Sequence, residues 1–408
     1  MNLKPSIISA TLLIFTLSAT ISCTGKKDKD SREKGSAFVD TESPEKLWLF
    51  VGTYTRKEGH VDGQADGLLW YELDTTMREI KLIDTYTDIV NPSYITIHPE
   101  GRYIYAVSET AGDENMPHGE VFTLKINTSA KKLELVNKVS SEGDYPCYIT
   151  TDKDGESVMV ANYGAGNIAF YPINEDGALD SATSIMKHTG QGPHERQASP
   201  HAHMVLPGPE NDYILAVDLG TDEIYSYPVD YQMQMLTKQQ VAGATLPGAG
   251  PRHITFHPLR KYAYVVNELN GTVEVFHYHD ALGTLERLQS ISTVEEGQNG
   301  NEAACADIHM SPDGRYLYAS NRGDFNNIVT FKVDQRTGRL EQMGHISTNG
   351  KTPRNFVVSD DGTFVLAANQ DSNNIAYFLR NNETGELTDT GVSLAVPTPV
   401  CLKLMQAL

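Results

Sequence analysis

The chain has 408 residues, a formal net charge of −20, 39% hydrophobic residues, 33 glycines and 19 prolines, a globular composition with enough apolar residues for a large core. The acidity excludes a nucleic-acid partner, because no basic stripe is present to neutralise phosphates. An anionic small molecule would need a locally positive site, which makes the positions of the arginines informative.

At the N-terminus, Lys4 precedes an apolar run from Ile7 to Ile21 that ends at Ser22-Cys23. The run is about 15 residues, short of the roughly 20 that a membrane-spanning helix needs, so residues 1–22 read as a lipoprotein signal peptide. A cysteine straight after a small residue suits acylation, which makes Cys23 the expected lipidation site. An ordinary cleaved signal is the alternative, and Thr20 speaks for it. Residues 23–45, which include TGKKDKDSREKGS, are strongly hydrophilic and read as a flexible tether. The expected location is therefore the cell envelope, with the membrane touched only through the N-terminal lipid anchor. Cys147, Cys305 and Cys401 form no CxxC and imply no zinc or disulfide framework; they are expected to be buried small hydrophobes.

From Leu47 onward the chain reads as strands. LWLFVGTYT, GLLWYELD and EIKLIDTYT are followed by six hairpins of one design, each a strand, a polar turn and a β-branched or aromatic return strand. They are NPSYITIHPEGRYIYAVSE, YPCYITTDKDGESVMVANY, SPHAHMVLPGPENDYILAVDLG, GPRHITFHPLRKYAYVVNE, ACADIHMSPDGRYLYASNR and TPRNFVVSDDGTFVLAANQ. Pro92, Pro146, Pro200, Pro251, Cys305 and Pro353 mark equivalent points about 50 residues apart, the period of a propeller. Two further strand-like runs follow each hairpin, so each repeat is a four-stranded antiparallel blade. The first blade lacks its innermost strand and TPVCLKLMQ at the C-terminus has nothing after it. Pairing them closes the ring and removes the open sheet edges. Residues 46–408 are thus expected to form an all-β, seven-bladed propeller.

In such a blade the innermost strand starts, and the second strand ends, at one face of the disc. The start register reads Ser93, Cys147, His203, Arg252, Ala306, Arg354 and Val400; the end register reads Glu109, Tyr163, Leu219, Glu268, Arg322 and Gln370. Just before the latter run Ser108, Asn162, Asp218, Asn267, Asn321 and Asn369, a series best explained by side chains that bond backbone at strand ends. The two outer registers are irregular, as a site imposed on a repeat should be. His203, Arg252, Glu268, Arg322 and Arg354 fall on consecutive blades facing one mouth, and together they predict an anion-binding site. Glu109 and Gln370 join the same rim. His201 points the same way as His203 but further from the mouth, and packing is its plainer role. GQGPHERQ carries His194 and Arg196 on a long connection able to lie over the mouth. His253 is expected to point into the inter-blade core. No GxSxG elbow, HExxH or EF-hand loop is present.

At these residues the chain resembles the seven-bladed lactonase family, which includes propeller-type 6-phosphogluconolactonases and carboxy-muconate cyclases. FVGTY, GQGPHERQASPHAH, AVDLGTDEI, GAGPRHITFHP, YAYVVNEL and MSPDGRYLYASNRG carry the resemblance, together with the hairpins above. It implies lactone chemistry at a His, two Arg and a Glu, which map onto His203, Arg252, Glu268 and Arg322. The expected function is hydrolysis of a sugar lactone without a cofactor or metal, with His203 or Glu268 as general base and arginines stabilising the oxyanion. His201, Arg354, Gln370, Glu109, Arg196 and His194 are the expected substrate-binding residues. Phosphorylated sugar lactones are scarce outside the cytoplasm, so the expected envelope location leaves the phosphate open. Two other functions fit the residues: a non-catalytic surface lipoprotein that binds an acidic glycan or a protein, and a metal-dependent lactonase using Glu109, Asp218 and the Asn series. Oligomeric state is not legible.

Overall fold

The computed structural model describes residues 46–59, 61–112, 117–258 and 262–407. The expected signal peptide, Cys23 and the tether lie outside the described residues. Seven antiparallel sheets, the propeller blades, follow one another along the chain, and their innermost strands touch in a closed circular order. Six blades are continuous, with innermost strands Ile95–Ile97, Pro146–Thr151, Ala202–Pro207, Pro251–Phe256, Ile308–Met310 and Pro353–Val358. Blade one is mixed: Pro399–Gln406 pairs with Lys46–Thr53, which pairs with Leu68–Asp74 and then Glu79–Tyr86. The expected closure and blade count hold. Blade four carries one additional short strand, Met235–Leu236, on its third strand.

Burial runs outward in a gradient. Second strands such as Tyr103–Ser108 and Tyr316–Asn321 are buried along their whole length, while outermost strands such as Glu79–Tyr86 are largely open to solvent. A short unbroken apolar run is what a strand clamped between two neighbouring sheets requires. Second-strand tyrosines also tie blades together: Tyr105, Tyr264 and Tyr318 donate to the carbonyls of Gly177, Gly338 and Gly385, each in the following blade, at 2.7–3.0 Å. An unpaired hydroxyl at such depth would cost about 1–3 kcal/mol.

The asparagine series is structural, as expected. The side-chain amides of Asn162, Asn321 and Asn369 donate to the carbonyls of Ser141, Thr293 and Thr348 at 2.8–2.9 Å, pinning the loop that enters each blade. Asp218 accepts from the backbone N–H groups of His201, Gly220 and Thr221 and from His188. Cys147, Cys305 and Cys401 are buried and unbridged.

Two backbone devices aim side chains at the axis. In five blades the residue before the proline that leads into the innermost strand has a left-handed φ: Asn91 (46°), Tyr145 (53°), Gly250 (64°), Thr352 (58°) and Thr398 (40°). Residues before proline prefer extended conformations, so this is local strain held by the surrounding sheet. At Gly250 a Cβ would come within 2.4 Å of Leu269 Cγ, which reserves that turn for glycine. The ladder then skips one residue, a β-bulge, at Cys147, His203, Arg252, Arg354 and Val400. A bulged residue leaves the ladder and is re-aimed. These five positions coincide with the start register read from the sequence.

Candidate functional site

The bulges and second-strand ends converge on one cavity of about 640 Å³ at the mouth, within the range of small-molecule sites. Its lining includes Glu109, Cys147, Tyr163, Arg196, His203, Glu268, Arg322, Arg354, Gln370 and Asp371. Arg252 lines a smaller cavity that shares Glu109, Cys147, His203 and Arg354 with this one.

Glu268 is the centre of the charge arrangement. Its backbone N–H closes the hairpin on Gly250 O at 2.8 Å. Arg196 Nη1 donates to its Oε1 at 2.6 Å, and Arg322 Nη2 lies 2.9 Å from its Oε2. Arg252 Nε also lies 2.9 Å from Oε2, at an angle too poor for a hydrogen bond, so that contact is an ion pair. Burial alone would raise the carboxyl pKa, but Arg322, Arg252 and Arg196 hold it far below the usual range. Glu268 is therefore a permanent anion whose oxygens are occupied by guanidinium groups, an organiser of cations and a poor base.

Arg252 is 2% exposed, and Nη1 donates to the carbonyl of Ala306. Burial and the charges of Arg322 and Arg354 pull its pKa down to about 10, with the charge intact at neutral pH. His253 Nε2 lies 3.3 Å from Arg252 Nη1, while Nδ1 faces Asp307 at 2.8 Å. Asp307 also takes His309 and Asn355. Burial, then Arg252, lowers His253 to about pKa 4, so a neutral ring donates from Nδ1 to Asp307 and accepts at Nε2 from Arg252. The expected inter-blade position of His253 is corrected: the bulge at Arg252 turns His253 to the axis, edge-on to Tyr148 and His203.

His203 is 5% exposed and stands edge-on to Tyr163. Its Nδ1 is buried without a hydrogen-bond partner. Burial first, then Arg252, His253 and Arg354, keeps its pKa well below the ordinary value, so the imidazole is neutral.

Arg354 lines the opposite wall with its guanidinium over the Tyr54 ring at 5.6 Å. Tyr54 OH donates to Glu109 Oε2 at 2.8 Å, and Gln370 Nε2 donates to Asp371 at 2.8 Å. Arg196 reaches the cavity from a 3₁₀ turn, Glu195–Gln197, whose Gln197 donates to Leu219 O and Asp222. Asp222 also accepts from Gly248 N and Gly250 N at 2.7 and 2.8 Å, so one carboxylate fixes both the Arg196 turn and the turn before Arg252.

His201 and His194 do not line the cavity. His201 stacks on Tyr163 at 4.5 Å, and His194 caps the 3₁₀ turn by accepting from Arg196 N. The donors of the metal-dependent alternative do not assemble: Asp218 is taken up by backbone and His188, and among the described residues no three His, Cys, Asp or Glu side chains are grouped for a metal ion. Reasoning from sequence missed Tyr54 and Asp222. Tyr54 follows the second strand of blade one, donates its N–H to Thr398 O, and is that blade's member of the end register.

A family model described as lactonase, 7-bladed beta-propeller, matches residues 48–404. The chain belongs to this family. Among its relatives, a 6-phosphogluconolactonase of Bacillus subtilis is 35% identical over 87% of this chain and 97% of its own. A crystal structure titled putative 6-phosphogluconolactonase from Bacteroides fragilis superposes with a TM-score of 0.79 at 35% identity, over 88% of this chain and 98% of that one. A Pseudomonas aeruginosa structure titled periplasmic gluconolactonase also gives 0.79, at 32% identity over 88% and 99%. This family membership agrees with the fold.

Proposed function

We propose that this propeller hydrolyses the ring ester of a sugar lactone. The observation that carries the reading is a single buried carboxylate, Glu268, gathering Arg196, Arg252 and Arg322 at the wall of a cavity that also holds a neutral His203. Three cations aligned on one anion form a rigid electropositive wall, the environment in which a carbonyl oxygen can gain negative charge. The related proteins named 6-phosphogluconolactonase and gluconolactonase support a sugar lactone as the substrate class.

In this mechanism His203 takes a proton from water as the water oxygen attacks the lactone carbonyl carbon. Arg322, with Arg252 behind it, stabilises the oxyanion, an effect worth about 3–4 kcal/mol for one well-placed donor. The carbonyl reforms, the ring C–O bond breaks, and the proton on His203 passes to the departing alkoxide. The aldonic acid then releases its own proton to solvent. Glu268 stays ionised throughout and keeps the guanidinium groups in place. Cys23 is the proposed lipid attachment site, which would put this activity in the cell envelope; it rests on the apolar run ending at Ser22-Cys23.

The test is hydrolysis of δ-gluconolactone by the purified protein, followed by proton release above the spontaneous rate. Acceleration lost in His203→Ala and Arg322→Ala supports the reading, and a wild type no faster than buffer on any sugar lactone ends it.

A further inference from the structure

The wall across the cavity from Glu268 has a composition of its own. Arg354 is its one guanidinium; it lies over the face of Tyr54 and within electrostatic reach of the Glu109 and Glu268 carboxylates. Around it stand acceptors. Glu109 is 6% exposed, and Tyr54 occupies only Oε2, leaving Oε1 without a donor. Gln370 is 5% exposed and its Oε1 has no partner, while Asp371 adds a second carboxylate to the rim.

Buried acceptors need donors. A sugar hydroxyl supplies a donor to Glu109 or Gln370 and an acceptor to Arg354 in one group. A phosphate dianion is an acceptor only. It would meet Arg354 but leave both oxygens unsatisfied and lie beside two carboxylates of its own sign. The three guanidinium groups of the facing wall share the charge of Glu268 and are held there by ion pairs. We infer that Arg354, Glu109, Gln370 and Asp371 form a polyol subsite, and that the substrate is an unphosphorylated, hydroxyl-rich lactone. This rests on the lactonase reading and narrows it.

The experiment measures kcat/KM for δ-gluconolactone and for its 6-phosphate under identical conditions, each above spontaneous hydrolysis. The wild type is expected to prefer the unphosphorylated lactone by at least about tenfold, because like charges set side by side at a binding surface repel. Removing one carboxylate, in Glu109→Gln or, at the exposed rim, in Asp371→Asn, is expected to shift the ratio several-fold toward the phosphate. Equal efficiency, or a preference for the 6-phosphate, overturns the inference. So does an unchanged ratio in both variants when their melting curves match the wild type. Absence of acceleration on both substrates strikes the lactonase reading instead, so the two failures are distinguishable.

Discussion

Arg252 and Glu268 stand at opposite ends of one hairpin and meet at 2.9 Å at its open end. Antiparallel pairing brings them to the same edge, and the bulge at Arg252 turns its side chain toward the carboxylate. The pair is buried, so its two charges depend on each other. Glu268→Gln leaves three guanidinium groups facing a neutral amide, and breaking a buried pair from one side costs about 3–5 kcal/mol. The variant is expected to melt well below the wild type, and kcat/KM should fall by at least about 100-fold because the cations lose their alignment. Denaturant melts and initial rates check both.

His203 acts as base only in its neutral form. Its depressed pKa keeps it neutral across the ordinary range, so kcat/KM should stay level through neutrality and fall only well below pH ~6.5, the unperturbed value for His. His203→Ala is expected to lose about 10²–10⁴ in kcat and the acid limb with it. A pH–rate profile of each protein is the check.

Stability should respond to pH in the same direction. His203 and His253 bind protons more weakly folded than unfolded, so the unfolded chain takes up more protons as pH falls from ~6.5 toward the folded value of about 4 for His253. Stability contributed by these neutral rings is complete above ~6.5 and is lost below it. Glu268 and Asp307, with lowered folded pKa values, add a further loss below ~4 as they protonate. Melting temperatures should thus be level above pH 7 and decline from about 6.5 downward, and less steeply in His253→Asn.

Asp222 touches no part of the cavity, yet it fixes the turns that deliver Arg196 and Arg252. Asp222→Ala is expected to reduce kcat/KM by about 10- to 100-fold through misplacement of these groups. Its near-isostere Asp222→Asn should recover part of the loss, since one amide oxygen still accepts.

Most of this arrangement was legible because a propeller repeats its geometry. With the hairpins laid over one another, His203, Arg252 and Arg354 fall on one register and Glu268 and Arg322 on another, and the bulges occupy the first of these. His253 was misjudged for the same reason: strict alternation sends it between blades, and a bulge shifts the phase by one residue. Tyr54 was overlooked because the mixed blade interrupts the repeat, so its strand end was not aligned with the rest. The reach of Arg196 depends on an irregular turn held by Gln197 and Asp222, and such loops carry no periodic signal.

The proposed lipid attachment at Cys23 is checked by Cys23→Ala. With acylation at this residue, the wild type should partition into detergent and the variant into the aqueous phase.

The central claim is that the mouth of the propeller opens lactones with His203 against the wall of arginines on Glu268. Its most direct test is the rate of δ-gluconolactone hydrolysis by the wild type, His203→Ala and Glu268→Gln, each verified as folded. Acceleration over buffer in the wild type alone is the predicted result. A wild-type rate equal to buffer, or variants as fast as the wild type, would contradict it.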